Sequence, residues 1–176
     1  MSTPDVIVVM GVAGTGKTTI GPLVAGELGV PYAEGDDFHP PANIAKMSAG
    51  IPLDDDDRGP WLDAIGAWAR ERAGRGGVVS SSALKRAYRD RLRAVAPGIV
   101  LLHLTGDRAL IEERMAGRKG HFMPTALLDS QFATLEPPAP DEAGVTVEVS
   151  GTPEEIAERA VAALRARDAA DGRGAS

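Results

Sequence analysis

Apolar and polar residues follow one another along the chain in blocks that predict strands and helices in turn. Val6–Met10 is an uninterrupted apolar run rich in β-branched residues, a pattern typical of a strand buried on both faces of a sheet. Shorter apolar runs predict four further strands, at 30–34, 77–80, 99–104 and 145–149. Because strands that alternate with helices imply a parallel sheet covered on both faces, we expect an α/β fold with a five-stranded parallel sheet.

The segments between these strands carry the signals of helices. Trp61 and Trp68 are seven residues apart, which is two helical turns, and this spacing predicts that both face the core. Thr152 is positioned to cap the last helix. We expect one domain over 1–167 and a disordered tail over 168–176, which is small and polar. The helices are predicted at Lys17–Leu28, 40–50, 57–73, 83–95, 107–116, 124–135 and 152–167.

Length, composition and charge narrow the classes of protein to which this chain can belong. Its 176 residues suit one domain, and the formal net charge of −6 argues against a nucleic-acid or anionic-membrane binder. No apolar run is long enough to cross a bilayer. The chain has no cysteine, which excludes disulfides and thiolate metal sites and fits the reducing cytoplasm. We therefore expect a cytoplasmic globular protein without nucleic-acid or membrane partners.

The first strand is followed by a glycine-rich segment, 11–18, whose letters GVAGTGKT match Gly-x-x-x-x-Gly-Lys-Ser/Thr at every fixed position. In this motif the glycines let backbone N–H groups converge on phosphate oxygens, and the following helix N-terminus adds partial positive charge. We expect Lys17 to bridge the β- and γ-phosphates of ATP and the Thr18 hydroxyl to bind Mg²⁺. The alternative is an ordinary glycine-rich turn. The predicted nucleotide-binding residues are Gly11, Ala13, Gly14, Thr15, Gly16, Lys17, Thr18 and Thr19.

Two acidic residues close to the end of the second strand are candidates for metal binding and proton transfer. Glu34 and Asp36 are two residues apart, so their side chains share one face of an extended chain. Neither 78–82 nor 99–106 runs from an apolar strand into a terminal acid, so we expect the Mg²⁺ partner here. Glu34 would hold a metal-bound water, and Asp36 would accept a proton from the attacking hydroxyl. His39 competes with Asp36 as the base or hydrogen-bonds the acceptor, and the alternative for the whole segment is a loop of solvated acids.

Several further strings of residues resemble one family. With the phosphate loop they resemble the gluconokinases of the small P-loop type over about residues 5–165. The strings are EGDDFHP at 34–40 followed by Asn43, KM at 46–47, GIPL at 50–53, DR at 57–58, WL at 61–62, SALKR at 82–86, YRD at 88–90, GHFM at 120–123, SQF at 130–132 and LE at 135–136. The resemblance implies a three-layer α/β/α P-loop kinase fold like that of shikimate kinase, with a small lid at 117–123. It also implies transfer of a phosphoryl group from ATP to the 6-hydroxyl of D-gluconate, with Mg²⁺ as cofactor. A homodimer is implied by the resemblance alone. The family often has cysteine where this chain has serines at 80–82, and serine is small enough to keep the close approach there.

The resemblance also implies roles for individual side chains. Gluconate carries one carboxylate and several hydroxyls, so its site needs cations and hydrogen-bonding groups. Arg114 is implied to stack near adenine. Arg118 is implied to belong to the lid and to neutralise the migrating phosphoryl group. The expected catalytic residues are therefore Lys17, Asp36 and Arg118. The implied substrate-binding residues are Asp36, His39, Arg58, Lys85, Arg86 and Gln131.

Simpler structural readings exist for most of these side chains. Arg58 could form a surface ion pair at a helix start, and Gln131 could belong to a helix that faces the core. Arg114 and Arg118 could satisfy the negative end of a helix. The remaining arginines of the predicted helix 83–95 are expected to be solvated; they are Arg89, Arg91 and Arg93.

Two other functions stay open on the sequence. One is a kinase of the same fold that acts on another small acceptor, such as shikimate or a different sugar acid. The other is a nucleotide-binding regulatory module without turnover. Lys17, Thr18 and Asp36 are all present, and this speaks against the second function.

Overall fold

A five-stranded parallel sheet forms the centre of the molecule. The computed structural model describes residues 5–12, 14–116 and 125–175, with the backbone alone at 114–116, 125–127 and 170–175. The strand order is β2-β3-β1-β4-β5, and every neighbouring pair is parallel. This confirms the predicted α/β class and the five strands, which are β1 (Val6–Met10), β2 (Tyr32–Glu34), β3 (Gly77–Ser80), β4 (Val100–Thr105) and β5 (Gly144–Glu148).

Seven α-helices surround this sheet in the described part of the chain. A short 3₁₀ helix, Gly35–Phe38, directly follows β2. None of the described helices combines the length and the apolar composition needed to cross a bilayer. The helices are α1 (Lys17–Leu28), α2 (Pro41–Ser48), α3 (Asp55–Glu71), α4 (Arg86–Val95), α5 (Arg108–Ala116), α6 (Thr125–Thr134) and α7 (Pro153–Ala175).

The two faces of the sheet carry separate cores, as the alternation of side chains along β1 requires. Ile7 and Val9 point into a core shared with α1 and α7. Val8 and Met10 point into the opposite core, which is formed with α3 and α4 and contains Trp61. Helices therefore cover both faces of the sheet, in the predicted three-layer arrangement. The carboxyl ends of all five parallel strands lie at one edge, where open α/β folds bind their ligands.

Helix boundaries differ from the sequence prediction where local contacts override the apolar pattern. α3 begins at Asp55, because the Asp54 carboxylate accepts a hydrogen bond from the Asp57 N–H and the Asp57 carboxylate accepts one from the Asp54 N–H. α4 begins at Arg86, three residues after the predicted start, because the buried residue Ala83 has a φ of 39°, outside the helical region.

The last helix extends through most of the segment predicted as a tail. α7 runs to Ala175, whereas the sequence predicted its end at residue 167. Alanines recur beyond that point and alanine is the strongest helix former, so helical propensity continues there. The Thr152 hydroxyl accepts a hydrogen bond from the Glu155 N–H, which confirms Thr152 as the N-cap of this helix.

Candidate active site

The phosphate loop connects β1 to α1 at the carboxyl edge of the sheet. Gly14 and Gly16 have φ values of 85° and 93°, in the left-handed region that glycine adopts without strain. Gly16 is the N-cap of α1 and provides no side-chain cap, so no side chain of this residue competes for the N–H groups of the first turn. Such a helix start is a site for an anion. Ala13 lies outside the described residues.

The Lys17 ammonium lies across the phosphate loop. Its Nζ donates hydrogen bonds to the carbonyl oxygens of Gly11 and Val12, at 2.8 and 3.2 Å. Burial lowers the pKa of Lys17 to about 8, although the nearby charges of Asp36 and Glu34 partly oppose this effect. The positive charge of Lys17 in the phosphate loop therefore interacts with the negative charges of the acids at the end of β2.

The three threonines of the loop differ in their surroundings. Thr15 is buried, and its hydroxyl donates to the Val12 carbonyl at 2.8 Å, so this side chain stabilises the loop itself. Thr18 and Thr19 are exposed in the first turn of α1. Thr18 is therefore accessible from solvent at the start of α1, as a metal ligand must be.

Glu34, at the end of β2, accepts hydrogen bonds from hydroxyl groups of β2 and of the neighbouring strand β3. The Tyr32 hydroxyl donates to one carboxylate oxygen of Glu34, and the Ser80 hydroxyl donates to the other, each at 2.8 Å. Burial raises the pKa of Tyr32 well above its usual value, so its hydroxyl remains a donor. Tyr32 was not among the predicted site residues, although its spacing of two residues from Glu34 on a strand places both side chains on one face.

Gly35 allows β2 to approach the end of β3. A Cβ atom at this position would lie 1.8 Å from the Ser80 carbonyl oxygen, so no other residue fits without a shift of the backbone. The Gly35 carbonyl accepts a hydrogen bond of 2.8 Å from Trp61 Nε1. These contacts fix the backbone immediately before Asp36, which lies exposed in the 3₁₀ helix.

His39 is held against α3 and α2. Its ring stacks on the Trp61 ring, with centroids 4.4 Å apart and an interplanar angle of 11°. The buried amide of Asn43 contacts its Nδ1 at 3.2 Å. Burial lowers the pKa of His39; the Asp36 carboxylate opposes this shift, and the Arg58 guanidinium adds to it.

Arg58 and Lys85 meet around one tyrosine. The Arg58 guanidinium and the Lys85 ammonium lie 5.7 and 5.4 Å from the centroid of the Tyr88 ring, within the range of cation–π attraction. The Tyr88 hydroxyl donates to Asp55 at 2.6 Å, and Asp55 lies 3.6 Å from Lys85 and 3.9 Å from Arg58. The cluster therefore brings together two cations that the sequence placed at distant positions. Tyr88 and Asp55 were missed as members of this cluster.

Arg86 is separately engaged, although it is adjacent to Lys85 in sequence. Its guanidinium forms a bidentate ion pair with Asp141, at 2.9 and 2.6 Å.

The other predicted site residues lie on the later helices or outside the described residues. Gln131 is a partly buried residue of α6. The backbone of Arg114 belongs to α5. Arg118 and the predicted lid at 117–123 lie outside the described residues.

The surroundings of Thr18 and Glu34 suit a Mg²⁺ ion that has few protein ligands. Among the described residues no group of three or more histidine, aspartate or glutamate side chains could hold a metal. Glu34 accepts one hydrogen bond at each oxygen, which leaves lone pairs for a metal-bound water. Mg²⁺ usually keeps several waters and binds substrate phosphates with only one or two protein groups.

Comparison with known proteins decides the family. The chain is 46% identical over 167 residues to the gluconokinase of Gluconobacter oxydans (strain 621H), in an alignment that covers 94% of each protein. It is 44% identical to the thermoresistant gluconokinase of Escherichia coli (strain K12), over 81% of this chain and 82% of that one. The chain belongs to the gluconokinase family. No family model matches this gluconokinase-family chain.

Solved structures agree with membership in the gluconokinase family. The crystal structure of a gluconokinase from Sinorhizobium meliloti 1021 superposes with a TM-score of 0.89 at 48% identity, covering 100% of this chain and 99% of that one. Shikimate kinase from Aquifex aeolicus superposes with a TM-score of 0.58 at 14% identity, over 90% of this chain and 95% of that one. The second likeness concerns the fold alone and confirms the predicted P-loop kinase architecture.

Proposed function

We propose that this chain transfers the γ-phosphoryl group of ATP to the 6-hydroxyl of D-gluconate and so forms 6-phospho-D-gluconate. The observation that carries the proposal is the position of Lys17 in the phosphate loop, where its Nζ donates to the Gly11 and Val12 carbonyls and its pKa responds to the charges of Asp36 and Glu34. A group suited to the donor phosphates is therefore within electrostatic range of a group suited to the acceptor hydroxyl. Membership in the gluconokinase family supports gluconate as that acceptor.

The phosphate loop would hold the nucleotide. Its backbone, from Gly11 through Thr19 and including Ala13, would bind the phosphates, and the Lys17 ammonium would leave the loop carbonyls to contact the β- and γ-phosphates. Thr18 and, through water, Glu34 would hold Mg²⁺. When bound, Mg²⁺ neutralises charge on the phosphate oxygens. Arg114 would contact adenine, and Arg118 would neutralise the phosphoryl group in transit.

Asp36 would act on the acceptor. Its carboxylate orients the 6-hydroxyl and accepts the hydroxyl proton as a bond forms between that oxygen and the γ-phosphorus, while the bond from the γ-phosphorus to the β–γ bridging oxygen breaks. Positioning and charge neutralisation dominate such a transfer, so the proton acceptor contributes a smaller share of the rate.

The cations around Tyr88 would bind the gluconate carboxylate. Arg58 offers a planar guanidinium that grips a carboxylate with two hydrogen bonds, and Lys85 adds a second charge. His39 and Gln131 would contact hydroxyl groups. Arg86 would join the site only after releasing Asp141, because its two terminal nitrogens already bind that carboxylate.

A coupled assay of ADP release over a panel of acceptors tests this proposal. We expect kcat/KM to be highest for D-gluconate among the sugar acids and shikimate. A higher value for another acceptor would assign the chain to a different substrate. The absence of ADP release with every acceptor would favour a regulatory nucleotide-binding module.

A pair of variants tests the assignment of Asp36. We expect Asp36→Asn to lower kcat about 100-fold while MgATP binding persists, because the variant cannot accept the hydroxyl proton. Asp37→Asn is the matched control, since Asp37 is the neighbouring exposed acid of the same 3₁₀ helix. Equal kcat values for Asp36→Asn and the wild type would contradict the role given to Asp36.

We also propose that the protein works in the cytoplasm, where ATP is available and where a chain without cysteine loses nothing to the reducing conditions. Cell fractionation checks the location.

The family resemblance suggests a homodimer. Light scattering coupled to size-exclusion chromatography measures the assembled mass directly.

A further inference from the structure

The amide of Asn43 has only one orientation that satisfies its contacts. Asn43 is 2% exposed, and its Nδ2 lies 2.9 Å from the backbone carbonyl oxygen of Asp57. A carbonyl oxygen only accepts hydrogen bonds, so the amide must present its NH₂ group there. Rotating the amide by half a turn would place two oxygens against each other inside the protein.

The carbonyl that fixes this orientation is itself well anchored. Asp57 belongs to the reciprocal cap at the start of α3, and its carboxylate binds Lys46 of α2 at 2.7 and 2.9 Å. Asn43 lies on the same short helix, α2. Two contacts therefore join α2 to the start of α3: the ion pair of Lys46 with the Asp57 carboxylate and the hydrogen bond from the Asn43 amide to the Asp57 carbonyl.

The same Nδ2 atom determines which nitrogen of His39 carries the proton. It lies 3.2 Å from His39 Nδ1, and an amide nitrogen is a donor without accepting capacity. Nδ1 must therefore be the acceptor, and the neutral ring carries its proton on Nε2. Among the described residues, no group forms a hydrogen bond with Nε2. The stack on Trp61, whose Nε1 is bound to the Gly35 carbonyl, restrains the ring from its face.

We propose that Asn43 is a positioning residue that holds His39 as the Nε2–H tautomer, so that His39 donates a hydrogen bond to an oxygen of the phosphoryl acceptor. The inference rests on the proposed function for the identity of that acceptor. The His39 ring stacks on Trp61, whose Nε1 is bound to the carbonyl of Gly35, the residue directly before Asp36. The charges of Asp36 and Arg58, both assigned to the acceptor, also affect the pKa of His39.

This tautomer excludes His39 as the base in the arrangement described. A ring protonated at Nε2 has no lone pair there to take a proton from a hydroxyl, and Nδ1 is occupied by the amide. The opposite tautomer would require the Asn43 amide to turn its oxygen toward the Asp57 carbonyl. Proton acceptance is therefore left to Asp36.

Imidazole ¹⁵N NMR tests the tautomer without any dependence on activity. In the full-length protein above the pKa of His39, we expect an unprotonated Nδ1 and a protonated Nε2, with the signals assigned by their loss in His39→Gln. In Asn43→Asp, whose carboxylate attracts a proton, the proton should move to Nδ1 or the ring should become charged. A wild-type ring protonated at Nδ1, or the same pattern in Asn43→Asp and the wild type, would overturn the proposal.

Two substitutions of His39 test the donor independently of how well Asn43→Asp folds. The amide nitrogen of glutamine is as many bonds from the backbone as Nε2, whereas that of asparagine matches Nδ1. We expect His39→Asn to lower kcat/KM for gluconate about 10–100-fold, mainly through KM, and His39→Gln to lose less than about tenfold. If kcat falls about 100-fold or more in His39→Gln, His39 acts as a base and the proposal fails. Failure of the gluconate assignment is a separate result, since it appears as a different preferred acceptor of the wild type.

Discussion

The guanidinium of Arg89 and the carboxylate of Glu142 form a buried ion pair in which Nε and Oε1 are 2.7 Å apart and neither side chain is more than 1% exposed. Arg89 also donates to the carbonyls of Ala83 and Leu84, in the loop that leads to Lys85. The expectation that Arg89 is solvated is therefore wrong. The pair ties the acceptor side of the site to the segment that precedes β5.

Removal of the carboxylate charge from this pair should destabilise the protein strongly. We expect Glu142→Gln to lower the free energy of unfolding by about 3–5 kcal/mol, because Arg89 would remain as an uncompensated buried charge. Urea denaturation measures the change. Asp63→Asn is the matched control: it breaks the ion pair with Arg91, whose side chains are 46% and 49% exposed, and should cost less than about 1 kcal/mol. Equal losses in the two variants would contradict this account.

The Glu142 carboxylate should also make the free energy of unfolding depend on pH. Burial opposes the ionisation of Glu142, but hydrogen bonds from Arg89, the Ala139 N–H and Arg93 outweigh it and lower its pKa from 4.5 to about 2. Stability from this group is therefore complete above pH 4.5 and is lost as the pH falls toward 2. The difference in unfolding free energy between wild type and Glu142→Gln should shrink by about 2 kcal/mol between pH 7 and pH 3. A constant difference would contradict the lowered pKa.

Gly35 should tolerate no side chain. Gly35→Ala would force a methyl group into the Ser80 carbonyl, and we expect a loss of about 3 kcal/mol or more in unfolding free energy together with loss of activity, since Asp36 follows directly. Gly26→Ala provides the comparison: it lies on the exposed side of α1, nothing is within 4 Å of the added methyl group, and it should stabilise by about 0.5–1 kcal/mol. A stable and active Gly35→Ala enzyme would disprove the close approach of β2 and β3.

Binding of MgATP should take up a proton at Lys17. With its pKa lowered to about 8, the ammonium is about half deprotonated at pH 8 in the free protein, and the phosphates should restore its full charge. Calorimetry at pH 8 in buffers with different ionisation enthalpies should reveal uptake of about half a proton. Lys17→Arg, whose side chain stays charged, should show none. No dependence on buffer in the wild type would argue against the lowered pKa.

Arg58 should matter more than Arg86 for gluconate. We expect Arg58→Gln to raise KM for gluconate about 10–100-fold through loss of charge-assisted hydrogen bonds. Arg86→Gln should give a much smaller rise, because Arg86 is engaged with Asp141 in the free protein. Steady-state kinetics with saturating ATP measure both constants. A larger effect at Arg86 would mean that this arginine leaves Asp141 when gluconate binds.

Sequence alone determined the parts of the molecule that depend on neighbouring residues. The apolar run of β1, the bounds of α1 and the spacing of the phosphate loop are local patterns, and the structure reproduces the strand and the helix at Val6–Met10 and Lys17–Leu28. The position of Glu34 at the end of β2 could also be predicted, but Asp36 lies in a 3₁₀ helix and not on an extended strand, so the two-residue spacing does not place the two side chains on one face. What these segments share is that backbone geometry and short-range periodicity specify them.

Only the tertiary structure decided which polar side chains are free to meet a ligand. Arg89 and Arg86 look alike on a basic helix, yet one is buried with Glu142 and the other is bound to Asp141, acids 53 and 55 residues away. Asn43 belongs to the residues of the family resemblance, but its role could not be predicted, because that role depends on a carbonyl of α3 and a ring nitrogen of His39. Hydrogen bonds and ion pairs form between atoms that folding brings together, and their partners are therefore set by the packing of helices on the sheet rather than by spacing along the chain.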